Sequence, residues 1–188
     1  GIIPHHDWKL ATQGVVWTPG ETVVAGIGQG YVLVTPLQLA VMTARLANGG
    51  KAVTPSLRSV EGDVEFEDLD ISPAALRIVH KGMFDVMHGG RGTARAHNLP
   101  SAMGGIAGKT GTVQVRRITK EQREAGITKN IERPWKERDH ALFVGYAPVK
   151  NPRYAVAVVV EHGGSGSSMA APIARAALQR ALEIGGKA

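Results

Sequence analysis

Hydrophobic positions along the chain fall into two helical patterns, three β-prone runs and one alanine-rich segment, set apart by stretches dense in glycine, proline and charge. Leu37, Val41, Ala44 and Leu46 recur at spacings that share one helix face. Thr35 stands where a cap belongs, Pro36 suits the first turn, Gln38 can reach back to the cap, and Asn48-Gly49-Gly50 supplies a left-handed stop. These signals predict a helix over residues 36–47. Ser72-Pro73 repeats the cap-then-proline opening, and Leu76, Val79, Met83 and Val86 carry a second apolar face until Gly89-Gly90 ends it. The first 27 residues show no helical period and read as an irregular lead-in.

Between the helices, residues 53–60 read as a short extended segment and residues 61–70 as a solvent-exposed acidic loop. Residues 91–94 make a turn, and residues 106–115 read as a strand in which Gly108 and Gly111 signal close backbone approach. The polar connection over residues 116–139 is long enough to predict a lid or a mobile loop. Residues 141–147 and 154–161 are β-rich runs around a turn at 148–153, and should pair as an antiparallel hairpin with cover on both faces. The last helix is expected over residues 168–182, where Ala170, Ala171, Ala174, Ala176 and Ala177 let it sit close to a sheet. No segment repeats another.

The length of 188 residues fits one domain, and 43% hydrophobic content is enough for a core. No apolar run approaches the roughly 18 residues that cross a bilayer, and no signal-peptide pattern stands at Gly1, so the piece is expected to be soluble. A net charge of +6 would suit anionic partners, but the densest basic cluster, from Arg116 to Arg138, is interleaved with Glu121, Glu124, Glu132 and Glu137 and carries one aromatic, Trp135. That argues against nucleic acid. With no cysteine, a disulfide framework, a thiolate nucleophile and a cysteine zinc site are excluded, while the redox compartment stays open.

The spacing of the histidines favours structural roles over metal binding. His80 and His88 lie eight residues apart on one helix, about 12 Å along its axis, too far to share an ion. His5-His6-Asp7 reads as an exposed turn. In the hairpin, His140 and His162 should face each other beside Asp139 and Glu161, about 20 Å from Lys109.

The residues with chemistry to offer are Lys109, Thr110, Gly111 and Thr112: one cation, two hydroxyls and one position without a side chain. Alternation puts Lys109 and Gly111 on one face and Thr110 and Thr112 on the other, so the strand must be twisted or used edgewise to present all four. An edge strand lets an extended peptide add itself by main-chain hydrogen bonds, and Gly111 would clear its approach. Beside a serine nucleophile, Lys109 would favour a substrate carboxylate and an alkoxide, the threonine hydroxyls would bind the carboxylate, and a backbone N–H would help form an oxyanion hole. Two rivals use the same glycines. Residues 104–110 approach a phosphate-binding Gly-x-x-x-x-Gly-Lys-Thr loop but are one residue short, and β-prone residues follow where that loop needs a helix. Gly26-Ile27-Gly28-Gln29-Gly30 approaches a dinucleotide fingerprint, but its third glycine comes one position early, and a tight turn is the simpler reading.

Taken in order, Gly26-Ile27-Gly28-Gln29-Gly30, Thr35-Pro36-Leu37-Gln38, Arg91-Gly92-Thr93-Ala94, Lys109-Thr110-Gly111-Thr112 with Gln114, and His162-Gly163-Gly164 resemble the elongation-type class B penicillin-binding proteins over nearly the whole length. The resemblance implies an α/β (α+β) transpeptidase fold, an antiparallel sheet covered by helices on both faces, with residues 1–188 as its C-terminal portion. It implies that Lys109 is the lysine of the third active-site motif and that Thr110, Gly111 and Thr112 line the D-alanyl peptide or β-lactam site. It implies no cofactor and no metal. The partners it implies are a peptidoglycan stem peptide, β-lactam antibiotics, the remaining half of the same domain, a membrane polysaccharide polymerase and elongation-complex proteins, at the periplasmic face of a bacterial inner membrane. The sequence departs from the family in holding no Ser-x-x-Lys and no Ser-x-Asn. Those motifs, two further strands and a membrane anchor are expected upstream of Gly1, and the isolated chain is expected to be inactive and incompletely folded. A peptide-carboxylate binding module without chemistry is the second reading, and a phosphate-loop nucleotide binder the third.

Overall fold

The computed structural model describes residues 1–58, 64–115, 119–126 and 129–185. Its frame is a three-stranded antiparallel sheet, ordered β1 (Ala107–Val113), β2 (His140–Ala147), β3 (Tyr154–Val160). The strands are where the β-branched and glycine-punctuated runs predict them. Alternation along the strands sends Phe143, Ala141 and Val158 to one face, where they meet Ala171, Ala174 and Leu178 of the terminal helix, and Tyr146, Ala155 and Ala107 to the other, where they meet Met83 and Ala47. Helices therefore cover both faces, as expected.

Four helices precede the sheet: α1 (His6–Gln13), α2 (Pro19–Gly26), α3 (Pro36–Ala47) and α4 (Pro73–His88). The predicted cap of α3 is present, with the Thr35 hydroxyl accepting from the Gln38 N–H and the Gln38 side chain accepting from the Thr35 N–H. Its buried face differs from the one the apolar residues suggest. Thr43 is fully buried and Ala47 packs on the sheet core, while Leu37 is exposed and, with Val41 and Leu46, lines an apolar groove instead. Small side chains permit close approach to the sheet, and Thr43 satisfies its hydroxyl on the Leu39 carbonyl, 2.7 Å away. On α4 the buried stripe is Leu76, Met83 and Met87, with Val79 left exposed and Val86 half-buried.

The first 27 residues are not irregular, because α1 and α2 occupy most of them. Thr18-x-x-Glu21 is a capping box with Pro19 in the first turn, a signal the absence of apolar periodicity conceals. His5 caps α1 by accepting from the Trp8 N–H, so His5-His6-Asp7 opens a helix and is not a turn. The two helices are joined by Lys9, buried at 4% exposure, whose ammonium lies 2.6 Å from Glu21 and also donates to the Val16 carbonyl.

Residues 53–58 form no strand, and residues 59–60 and the start of the acidic stretch, 61–63, lie outside the described residues. Beyond them Asp68 pairs with Lys51 across an isolated bridge. The expected mobile connection is partly built: α5 (Lys120–Glu124) is followed by tight 3₁₀ turns, and Arg133 and Asp139 form a buried ion pair at 3.2 Å that Asn130 reinforces from 2.9 Å. Residues 116–118 and 127–128 lie outside the described residues. After β3, a π-helical turn (Gly166–Ala170) leads into α6 (Ala171–Gly185); Ala170, Ala171 and Ala174 are buried as predicted, whereas Ala176 and Ala177 face solvent. No described helix is long and apolar enough to cross a membrane.

Two glycines let this frame close. A Cβ on Gly108 would meet the Phe143 ring at 2.4 Å, and one on Gly166 would meet the backbone oxygens of Gly111 and Leu142 at 2.4 Å each. Backbone cannot yield as a flexible side chain does, so Gly166→Ala is expected to cost about 1–3 kcal/mol, measured by denaturation of the whole protein.

Lys9, foremost, and the Thr18 N–H hold the Glu21 carboxyl below the usual carboxylate range. A carboxyl with a depressed folded pKa contributes stability that is complete above its unfolded value, about 4.3, and is lost as pH falls through the folded value. Thermal unfolding should therefore drop more steeply with acidification below about pH 5 in wild type than in Glu21→Gln, and parallel curves would contradict this role for the pair.

Candidate active site

The quartet lies within β1, with Lys109 opposite Val144, Thr110 opposite Phe143, Gly111 opposite Leu142 and Thr112 opposite Ala141. Among the described residues β1 has a partner strand on one side only, so its other edge is free. Two contacts show which carbonyls face that edge. The Lys109 ammonium donates to the Thr110 carbonyl at 2.7 Å, and the Gln29 side-chain amide donates to the Thr112 carbonyl at 3.0 Å. Residues two apart in a strand point the same way, so both carbonyls belong to the edge turned from β2.

Lys109 is exposed and, among the described residues, meets no carboxylate within ion-pairing distance. Its ammonium is therefore available to an anion arriving from solvent. The Thr110 hydroxyl lies 3.0 Å from the Thr93 hydroxyl, which brings the turn after α4 to the strand, and Thr112 is exposed. Gly92 makes that turn possible, since a Cβ there would strike the Val86 carbonyl at 2.4 Å. A Cβ on Gly111 would meet the Leu142 Cβ at 3.2 Å, and Gly166 approaches the Gly111 backbone from within the chain.

Alongside the strand, between the loop after α2 and the end of β1, runs a groove of about 860 Å³ bounded by Ile27, Gln29, Thr112, Gln114 and His140. That volume is of ligand size. A second, apolar groove of about 550 Å³ over α3 contains none of the quartet and offers Gln38 and Arg45 as its polar groups.

The phosphate-loop reading is overturned, because Lys109 and Thr110 lie in mid-strand with no helix N-terminus after them. The dinucleotide reading is overturned as well: Gly26 ends α2 and Gly28, at φ +74°, is the left-handed residue after a helix, so the stretch is the tight turn expected. His140 and His162 do meet, with the His162 N–H donating to His140 Nδ1 at 2.9 Å and the rings 4.7 Å apart. The register is one residue off the expected one, since Ala141 pairs with Val160, and it is the bend at His162, φ +54°, that returns the ring to its neighbour. His140 stands opposite Val113, four residues from Lys109, which is nearer to about 13 Å than to 20 Å. His80 Nε2 donates to the Leu46 carbonyl at 2.7 Å and His88 Nε2 to the Ile106 carbonyl at 3.1 Å, so the two rings serve separate backbone groups.

Gln29 and Thr93 are the residues whose contact with the quartet the sequence reading did not foresee. The signal for Gln29 was available, because the Thr18-x-x-Glu21 box and Gly28 together bound a helix and place Gln29 just past its end. Nothing local marks Thr93 as the partner of Thr110, 17 residues away.

The family described as "Penicillin binding protein transpeptidase domain" matches residues 4–179. Peptidoglycan D,D-transpeptidase MrdA of Haemophilus influenzae is 39% identical over 185 residues, covering 92% of this chain and 27% of the relative, and its Acinetobacter baumannii counterpart is 35% identical, covering 92% and 26%. Among solved structures, Pseudomonas aeruginosa PBP2 in complex with WCK 5153 superposes with a TM-score of 0.67 at 43% identity, covering 92% of this chain and 34% of that one. PBP2 of Helicobacter pylori, solved in complex with MreC, superposes with a TM-score of 0.79 at 29% identity, covering 98% and 31%. The chain thus spans about a quarter to a third of the length of the relatives it matches. With the family matched across most of its residues and the Lys109-Thr110-Gly111-Thr112 strand set at a free sheet edge, the chain belongs to the penicillin-binding protein transpeptidase domain family.

Proposed function

We propose that the chain is the C-terminal part of the transpeptidase domain of a peptidoglycan D,D-transpeptidase of the elongation type. The observation that carries this reading is an exposed lysine without a carboxylate partner among the described residues, on a strand with one free edge and an exposed Thr112 beside it. In the reaction, a serine hydroxyl attacks the carbonyl of the penultimate D-alanine, the terminal D-alanine leaves as the amine, and the acyl group passes to the amine of a neighbouring stem peptide. A β-lactam stops the cycle at the acyl-enzyme. No Ser-x-x-Lys occurs in these 188 residues, so in this reading the nucleophile belongs to the portion of the domain outside them.

The roles assigned here follow from charge and reach. Lys109 supplies the positive field for the substrate's terminal carboxylate and for the serine alkoxide, Thr110 and Thr112 supply hydroxyls to that carboxylate, and Gly111 lines the peptide site without a side chain. The free edge accepts the peptide in extended form, and the groove along the 27–30 turn accommodates what extends beyond it. The likeness to PBP2 solved with MreC makes an MreC-like protein the expected partner, and a periplasmic site of action follows from a peptidoglycan substrate.

The test uses the full-length protein and a fluorescent penicillin. Wild type should form a covalent adduct, and Lys109→Ala should slow its formation by about a hundredfold or more. Acylation at the wild-type rate in that variant would remove Lys109 from the site.

A further inference from the structure

Gln29 is held in place more firmly than an exposed loop residue ordinarily is. Its N–H donates to the Val24 carbonyl at 3.1 Å and the Gly28 N–H to the Ala25 carbonyl at 2.9 Å, with Gly28 at φ +74°. This is the paired 6→1 and 5→2 pattern of a Schellman motif, in which Gln29 is the first residue past the left-handed one. The other end of α2 is fixed by the Thr18–Glu21 capping box and by buried Lys9. The backbone at Gln29 is therefore set, and its side chain is what crosses to β1.

The atom it reaches is the Thr112 carbonyl, 83 positions away in sequence. That carbonyl faces the free edge, as the carbonyl of Thr110 does. A peptide adding itself to β1 needs such outward acceptors for its own N–H groups. The primary amide of Gln29 offers the same kind of donor, so it fills one rung of the ladder an incoming strand would build. The contact is exposed and stands alone between two surface groups, which makes it exchangeable, and the 860 Å³ groove beside it leaves the side chain room to move aside.

We infer that Gln29 gates the substrate edge of β1: its side-chain amide occupies the Thr112 carbonyl in the free protein and is displaced by a ligand carrying an amide N–H. The identity of that ligand rests on the transpeptidase reading. The gate acts on access to the edge and takes no part in bond making, so Gln29 is a positioning residue. Removing its donor leaves the Thr112 carbonyl to water, which a ligand displaces more readily than a tethered side chain.

The experiment compares acylation of the full-length wild type and Gln29→Met, which keeps the length of the side chain without its donor. Two β-lactams are used, one with an acylamino N–H beside the ring and one without. The gate predicts that Gln29→Met raises the second-order acylation rate for the amide-bearing compound by roughly two- to tenfold, the worth of one exposed hydrogen bond. The compound without the amide should respond less than the amide-bearing one, and the melting temperature should not move. Gln29→Asn, too short by one methylene to hold the carbonyl, should accelerate in the same way, so a folding defect in the first variant does not shield the idea. Slower acylation, equal change for both compounds, or no change in either variant would overturn the gate and leave Gln29 as a structural brace. Absence of acylation in wild type by both compounds would instead overturn the transpeptidase reading itself.

Discussion

The pairing of β1 with β2 is the interaction on which the site depends, because it fixes which edge of the Lys109 strand is used up and which is open. Its register sets Gly111 against Leu142, and the π-helical turn before α6 then presses Gly166 onto the backbone oxygens of that very pair. Any side chain at Gly166 would push the turn away from the sheet and disturb the strand from behind. The free edge is thus backed by a close-packed layer, and close-packed layers resist small displacements. A site that must hold a peptide in register gains from such a backing, since misplacement by about an ångström is costly to an oriented reaction.

Electrostatics completes what packing begins. Several of the described lysines, Lys9, Lys51, Lys81 and Lys120, stand opposite carboxylates, whereas Lys109 spends its hydrogen bond on a backbone carbonyl. A carbonyl satisfies a donor without neutralising the charge, so the cation keeps its field toward solvent. Of the two protons on the paired Thr93 and Thr110 hydroxyls one is used between them, which leaves the other free to be donated to an anion. On the proposed reading, lysine, hydroxyls and the two edge carbonyls would meet a peptide by charge at one end and by main-chain hydrogen bonding along its length.

The elements carrying strong local signals were legible before any coordinates. Thr35-Pro36-Leu37-Gln38 and Ser72-Pro73 mark helix starts that depend on a few adjacent atoms, and the aromatic and valine-rich runs of β2 and β3 have no competing pattern. Lys109, Thr110, Gly111 and Thr112 were legible as a strand for the same reason. What stayed hidden depends on partners distant in sequence. α1 and α2 lack apolar periodicity because they are held by Lys9 and Glu21, a buried ion pair that hydrophobic pattern does not register. Which face of α3 turns inward is set by size, because Thr43 and Ala47 are small enough to touch the sheet where the larger Leu37 and Val41 are not. Gln29 and Thr93 could be named as motif members, but their contacts to Thr112 and Thr110 span 83 and 17 residues and follow from the fold.

A structure of the full-length protein acylated by a β-lactam tests the central claim most directly. The account predicts the ligand's carboxylate within hydrogen-bonding distance of the Thr110 or Thr112 hydroxyl, with the Lys109 ammonium beside it and the ligand lying along the free edge of β1. A ligand bound with its carboxylate elsewhere, for instance against Arg45 in the groove over α3, would contradict it.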